Sequence, residues 1–176
     1  GKASLNFSHL YNSNSVRLFV NTTPLGNGWS HSYNASLITT DSTLIVVWPG
    51  EVNFYDLATK EALSPGVYDK LQQPNAEEFT IRKKDQTVFR FSKILTSPLQ
   101  NTYFLSSITD RHNNQISLHY NNTGRLDYAK TPGNKFITFA YYPDSDTLHQ
   151  GLIHYVKDSL ALNRTIEYQY DNDRNL

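Results

Sequence analysis

The sequence predicts an all-β protein, with successive antiparallel β-hairpins forming a coiled, shell-like or sandwich-like sheet. Three observations carry that expectation. Residues 105–120 read as two short alternating strands, LSSI and QISLHY, joined by a polar link of Asp110, Arg111, His112, Asn113 and Asn114. The second of these strands returns as FITFAYY at 136–142 and as RTIEYQY at 164–170. In each copy the apolar positions (Ile116, Leu118, Tyr120; Ile137, Phe139, Tyr141; Ile166, Tyr168, Tyr170) recur at every second residue, the period of a strand with one face against a core.

Taken in order, residues 5–11 alternate Leu5, Phe7, His9 and Tyr11 and read as a strand at a sheet edge. NSNS at 12–15 is a turn by composition, and 16–20 is a second strand candidate closed by Pro24 and Gly26. Residues 26–38 hold the cleanest one-sided strand of the first half, with Trp29, His31, Tyr33, Ala35 and Leu37 on one face. Gly26 and Gly28 before it suit a tight turn with positive φ. LIVVW at 44–48 is apolar on both faces and is expected at the centre of a sheet; Pro49-Gly50 ends it and VNFY returns. Residues 56–75 are the least strand-like part, with a helical turn capped by Asp56 as one option. Residues 78–81 and 87–91 make a hairpin around 83–86, and 94–101 a loop with Pro98. In NNTGRL, Gly124 takes the turn position before Arg125 and Leu126 start the next strand.

Composition narrows the function classes. Sixteen basic and 16 acidic residues give a net charge of zero, with 18% charged residues, so no charge bias points to nucleic acid or to an anionic membrane. The 12 Tyr, 9 Phe and 2 Trp supply large groups to bury and favour strands. Without cysteine, disulfides, thiol catalysis and thiolate metal sites are excluded. No apolar run approaches the ~20 residues of a membrane-spanning helix. Gly1-Lys2 with no Met reads as a trimmed start that carries no targeting information.

Repeat spacing adds organisation. From Tyr120 to Tyr141 the step is 21 residues, one hairpin plus its turn; from Tyr141 to Tyr170 it is 29, which places an insertion around 143–151. YDNDRNL at the end of the chain repeats YNNTGRL, with Arg174 near the glycine's place, and reads as a motif cut in the middle. Units of this size bury their faces by stacking on neighbours.

The pattern ITDRHNNQISLHYNNTGRL resembles the tyrosine-aspartate (YD) repeat of Rhs proteins, teneurins and insecticidal toxin-complex shells. The earlier YNSNS…PLGNGWSHSYNASL resembles the lead-in region that precedes such repeats, and the two segments stand in the matching order. Departures are Asn114 where the family-like form has glycine, and Asn121-Asn122 where it has Asp-Ala or similar. The resemblance divides the chain into a lead-in region at 1–100 and hairpin repeats at 101–176. It implies structural roles for Asp110, Arg111, Asn114, Tyr120, Gly124, Arg125, Leu126, Tyr141 and Tyr170 in the repeats. In the lead-in it implies such roles for Gly26, Gly28, Trp29 and Tyr33. It also implies a hollow shell around a C-terminal segment, often a toxin, in a secreted or cell-surface polymorphic-toxin protein. The aspartate pair tied to self-cleavage in the family has no match here.

Candidate sites weigh as follows. Asp110, Arg111 and His112 are adjacent on an extended link and point apart, so the expectation is a turn capped by Asp110, with Arg111 paired to an acid across the sheet. His9, His31, His112, His119, His149 and His154 lack the spacing of a one-element zinc site, and DSD at 144–146 and DND at 171–173 lack the glycine and terminal Glu of a calcium loop. No catalytic, metal or cofactor residue is therefore assigned. The leading function is a structural segment of a β-shell, without catalysis of its own, whose partner is the rest of the same longer chain and an enclosed C-terminal segment. The alternative is a module for cell-surface glycan using Trp29, Tyr120 and Tyr141 as a stacking platform. A glycan hydrolase would need two carboxylates facing across a cleft, and nothing places such a pair. Unprotected edge strands in an excised piece are expected to form an edge-strand dimer.

Overall fold

A computed structural model describes residues 4–12, 23–94, 99, 101–159 and 164–176. The chain is all-β, built from successive antiparallel strands in an open, elongated sheet. The first strands are β1 (His9–Tyr11), β2 (Trp29–His31), β3 (Ser36–Thr39), β4 (Thr43–Trp48) and β5 (Glu51–Asp56). They are followed by β6 (Lys70–Asn75), β7 (Glu78–Arg82), β8 (Val88–Lys93) and β9 (Thr102–Thr109). The last five are β10 (Gln115–Tyr120), β11 (Leu126–Lys130), β12 (Phe136–Tyr141), β13 (Ile153–Asp158) and β14 (Thr165–Glu167). Among the described residues β1 and β2 form a two-stranded sheet and the rest a 12-stranded one.

Strand β9 is the hub. One edge pairs with β8 from Lys93↔Tyr103 to Val88↔Thr109. The other edge is divided: Thr102–Phe104 pair with β3, and Ser107–Thr109 pair with β10. Two meanders therefore leave the same edge, β3-β4-β5 and β10 to β14, while β8-β7-β6 leaves the opposite one.

Alternation explains the core. Leu44 and Val46 of β4 are fully buried, as are Phe79 and Ile81 of β7, Phe91 of β8 and Leu105 of β9. Trp48 packs edge-on to Phe89 and Phe91, with ring centroids at 4.9 and 5.7 Å, and so brings the β3-β4-β5 arm against β8. In the C-terminal meander Leu118, Leu126, Ala129, Ile137, Phe139, Ile153 and Val156 are buried. Their cover is the N-terminal layer: Phe7, His31 and Tyr33 all meet Phe139, at 5.6, 5.6 and 6.4 Å between ring centroids.

Several expectations need correction. The 26–38 strand is two strands, because the chain turns at Ser32-Tyr33, yet His31, Tyr33, Ala35 and Leu37 are all buried as the alternation requires. The 56–63 segment is a turn, in which Asp56 Oδ1 accepts from the Ala58 and Thr59 amides; among the described residues there is no helix. β6 and β13 fall where no strand was expected. Ile166 is exposed rather than facing the core. The strand candidate at 16–20 lies outside the described residues, as does most of the loop at 94–101.

Candidate functional site

The repeat-motif residues build two recurring devices. The first is a five-residue turn, 110–114, 121–125, 131–135 and 171–175. In each, the first amide donates to the fifth carbonyl and the fourth amide donates back to the first carbonyl. The fourth residue takes the left-handed conformation: Asn113 (φ 66), Gly124 (φ 78), Asn134 (φ 57) and Arg174 (φ 63). In all four turns a side-chain oxygen at the first position accepts from the fifth amide, and in three of them from the third amide as well. Asp110 Oδ1 accepts from the His112 and Asn114 amides at 2.8 and 2.9 Å. Asn121 Oδ1 accepts from Thr123 and Arg125, and Asp171 Oδ1 from Asp173 and Asn175. Such turns suit a short polar side chain first and glycine or asparagine fourth. The left-handed residue of the first turn is thus Asn113, one place before Asn114, which stands where the family-like form has glycine. Asn114 instead donates its side-chain amide to Asp110 Oδ2 at 2.7 Å, and this bond is the main cause that holds the Asp110 carboxyl below its ordinary value.

The second device is a tyrosine staple. Tyr120 donates its hydroxyl to the Leu105 carbonyl at 2.8 Å, and Tyr141 to the Leu126 carbonyl at 3.0 Å, each 15 residues back. Tyr170 does the same to Ile153, 17 residues back, at 2.8 Å. Each tyrosine thereby ties the second strand of its hairpin, or the residues just after it, to the first strand. Burial pushes all three hydroxyls above their ordinary range, so they remain donors at any ordinary pH. Arg125 and Arg174 brace the 143–151 insertion: Arg125 pairs with Asp144 at 2.8 Å, and Arg174 donates to the Leu148 carbonyl at 2.8 Å and the Gln150 carbonyl at 3.2 Å.

The lead-in residues lock onto the last turn. The Pro24 carbonyl accepts from the Ile153 amide at 2.7 Å, and the Asn27 amide donates to the Arg174 carbonyl at 3.1 Å. Gly26 (φ 84) lies against that carbonyl and the Tyr170 ring, and Gly28 (φ 76) lies under the Tyr11 ring. Trp29 packs between His9 and Tyr11, at 5.5 and 5.2 Å. His31 is fully enclosed, and burial lowers its pKa to about 3; its Nδ1 accepts from the Tyr33 amide at 3.3 Å. Burial likewise pushes the Tyr33 hydroxyl up to about 12.

Some residues singled out together are kept apart. Trp29, Tyr120 and Tyr141 share no ring contact; Tyr120 lies against Phe104, and Tyr141 under the Arg125 guanidinium. Arg111 donates to the neighbouring His112 ring at 3.0 Å instead of pairing with an acid across the sheet. Asp146 accepts from the amide of His149 and pairs with its ring at 3.0 Å. Among the described residues no group of three or more His, Asp or Glu is placed to hold a metal ion. A cleft bordered by Tyr68, Lys70, Arg82, Lys83, Lys84 and Gln86 went unread in the sequence. The doublets Lys83-Lys84 and Asp69-Lys70 were visible there, but only the β6–β7 pairing brings them together. No family model matches the chain, and no curated protein matches it.

Proposed function

We propose that this all-β structural module is a wall segment of a β-shell, of the YD-repeat (Rhs) type, in a larger exported or cell-surface protein. In this reading the module has no catalytic activity of its own. The observation that carries the reading is the threefold tyrosine staple, Tyr120–Leu105, Tyr141–Leu126 and Tyr170–Ile153. One staple per hairpin makes each hairpin a self-similar unit that can be added to the next without limit, as a wall requires. The recurring turn supports the same conclusion, because at 110–114, 121–125 and 131–135 it delivers a strand antiparallel to the last with the core face kept inward. The N-terminal layer contributes by covering the inner face of the first units. Partners of the segment are then the flanking parts of its own chain and whatever the shell encloses.

Limited proteolysis of the full-length gene product, read by intact mass, tests this. A protease-resistant core that contains residues 5–176 and retains a separate C-terminal fragment without a covalent link is the expected result. Release of these residues as a lone stable domain, with nothing retained, would overturn it.

A further inference from the structure

The outward face of β6 and β7 carries a cluster of cations that the shell reading does not use. Lys70 stands directly across from Arg82 in the antiparallel pair. Like charges in that position, with Cβ atoms about 5 Å apart, repel and weaken the pairing. Neither side chain has an acid partner among the described residues, and neither has Lys84, in the turn that follows β7. Lys83 differs: its Nζ is held by Asp69 at 2.6 Å and sits 4.4 Å from the centre of the Trp48 ring, so it forms a fixed wall. The nearby Asp85 carboxylate is taken up by its own turn, accepting from the Thr87 amide at 2.9 Å.

Tyr68 completes the arrangement. It precedes Lys70 by two residues and is 83% exposed, the most exposed large apolar side chain among the described residues. With Lys70, Arg82, Lys83, Lys84 and Gln86 it borders a cleft of about 480 Å³. An uncovered aromatic face beside unpaired cations is complementary to a ring that carries negative substituents.

We propose that this cleft binds an anionic saccharide, with one sugar ring stacked on Tyr68 and its sulfate or carboxylate held between Lys70 and Arg82. The volume suits one or two sugar residues, within the span of small-ligand sites. A nucleic acid would need cations and rings spaced along a track, whereas here they form one cluster at the end of one hairpin in a chain of zero net charge. The repulsive Lys70–Arg82 pair has a use in this reading, since a bound anion converts it into two attractive contacts. The proposal stands independently of the shell, because it concerns the outer face of β6 and β7.

Isothermal titration of the 176-residue chain tests it with four probes: a heparin-derived tetrasaccharide, a hyaluronan tetrasaccharide, inorganic sulfate and a thymidine octanucleotide. Saturable binding of a charged tetrasaccharide that weakens as salt rises is the expected result. The first two probes tell sulfate from carboxylate. Lys70→Gln with Arg82→Gln should weaken binding at least tenfold while leaving the melting temperature unchanged or higher, since a repulsive pair is removed. Tyr68→Ala should weaken the tetrasaccharide at least fivefold and leave sulfate unaffected. Lys84→Gln, at an exposed position, gives an independent reading should the double variant fail to fold, and should weaken binding severalfold. Absence of saturable tetrasaccharide binding, equal binding of the octanucleotide, or sulfate binding as tightly as the sugars with Tyr68→Ala silent would each overturn it.

Discussion

The Tyr141 hydroxyl donates to the carbonyl of Leu126, joining the last residue of β12 to the first of β11. The bond spans the width of one hairpin at the end opposite its turn, where the strands would otherwise fray. Tyr141→Phe keeps the ring and its packing and removes only this bond. It should lower unfolding stability by about 1 kcal/mol in urea titration. Tyr120 stands directly across from Leu126 and within electrostatic reach of Tyr141, so the two staples are coupled. The double variant with Tyr120→Phe should therefore depart from the sum of the two single losses by ~0.5 kcal/mol or more. Equal stability of wild type and Tyr141→Phe would show that the staple contributes nothing.

Gly26 tests the joint between the lead-in and the last turn. An added β-carbon would be driven into the Arg174 carbonyl oxygen and would lie 3.2 Å from the Tyr170 ring, in a backbone already at φ +84. Gly66 has φ +77 and nothing within 4 Å of a β-carbon, so it isolates the conformational cost. Gly66→Ala should cost about 1–2 kcal/mol. Gly26→Ala should cost that plus overpacking against backbone, ~2–4 kcal/mol in total. Chemical denaturation of both variants decides: equal losses would mean that the contact with Arg174 yields freely.

The parts of the fold that were legible in the sequence are those where a strand has one face against a core. Tyr33, Ala35 and Leu37 are buried at every second residue as they read; in β4 Leu44 and Val46 are buried while Ile45 and Val47 are only half-buried, although LIVVW reads as apolar on both faces. β6 escaped because it lies at the sheet's edge with Leu71 as its one buried residue, and carries Pro74, which an edge strand tolerates. β13 escaped because its buried residues, Ile153 and Val156, are three apart and mimic no strand period; the register with β12 shifts at Ala140/Tyr141. The tyrosines of the repeat could be counted from the sequence, but their acceptors could not. A backbone carbonyl 15 or 17 residues away has no side-chain signature.

The fourth turn position offers an exchange. The hairpin between β7 and β8 uses the same geometry, Lys83 amide to Thr87 carbonyl and Gln86 amide to Lys83 carbonyl, with Gln86 at φ 71. A side chain there is strained and glycine is not. Gln86→Gly should therefore raise stability by ~0.5–1 kcal/mol, and Gly124→Gln should lower it by a similar amount. Thermal melts of the two variants should move in opposite directions. Movement in the same direction would mean that side-chain contacts, not backbone conformation, govern these turns.

His31 makes the fold sensitive to mild acid. It is enclosed by the Phe7 and Phe139 rings, and its Nδ1 already accepts from the Tyr33 amide, so a proton on that nitrogen would set donor against donor. Burial is the cause that lowers its pKa from 6.5 to about 3. The sign follows from the order of protonation. Between these values the unfolded chain binds the proton and the folded chain does not, so protons favour unfolding. The contribution is intact above pH 6.5 and is lost as pH falls from 6.5 toward 3, with a limiting slope of about 1.4 kcal/mol per pH unit. The carboxyls of Asp110, Asp146 and Asp171 are held below their ordinary values by hydrogen bonds and add their own acid loss only below about pH 4. Glu78, held below its ordinary value by the Arg90 hydrogen bond, adds a loss that begins near the acid end of the window from pH 6.5 to 4.5. The difference between wild type and a His31 variant across that window is therefore what reports His31. His31→Asn keeps an acceptor where Nδ1 lies and cannot be protonated there; it should be less stable at pH 7 but nearly flat across that window. A wild-type profile as flat as that of the variant would mean that His31 takes up its proton within the fold.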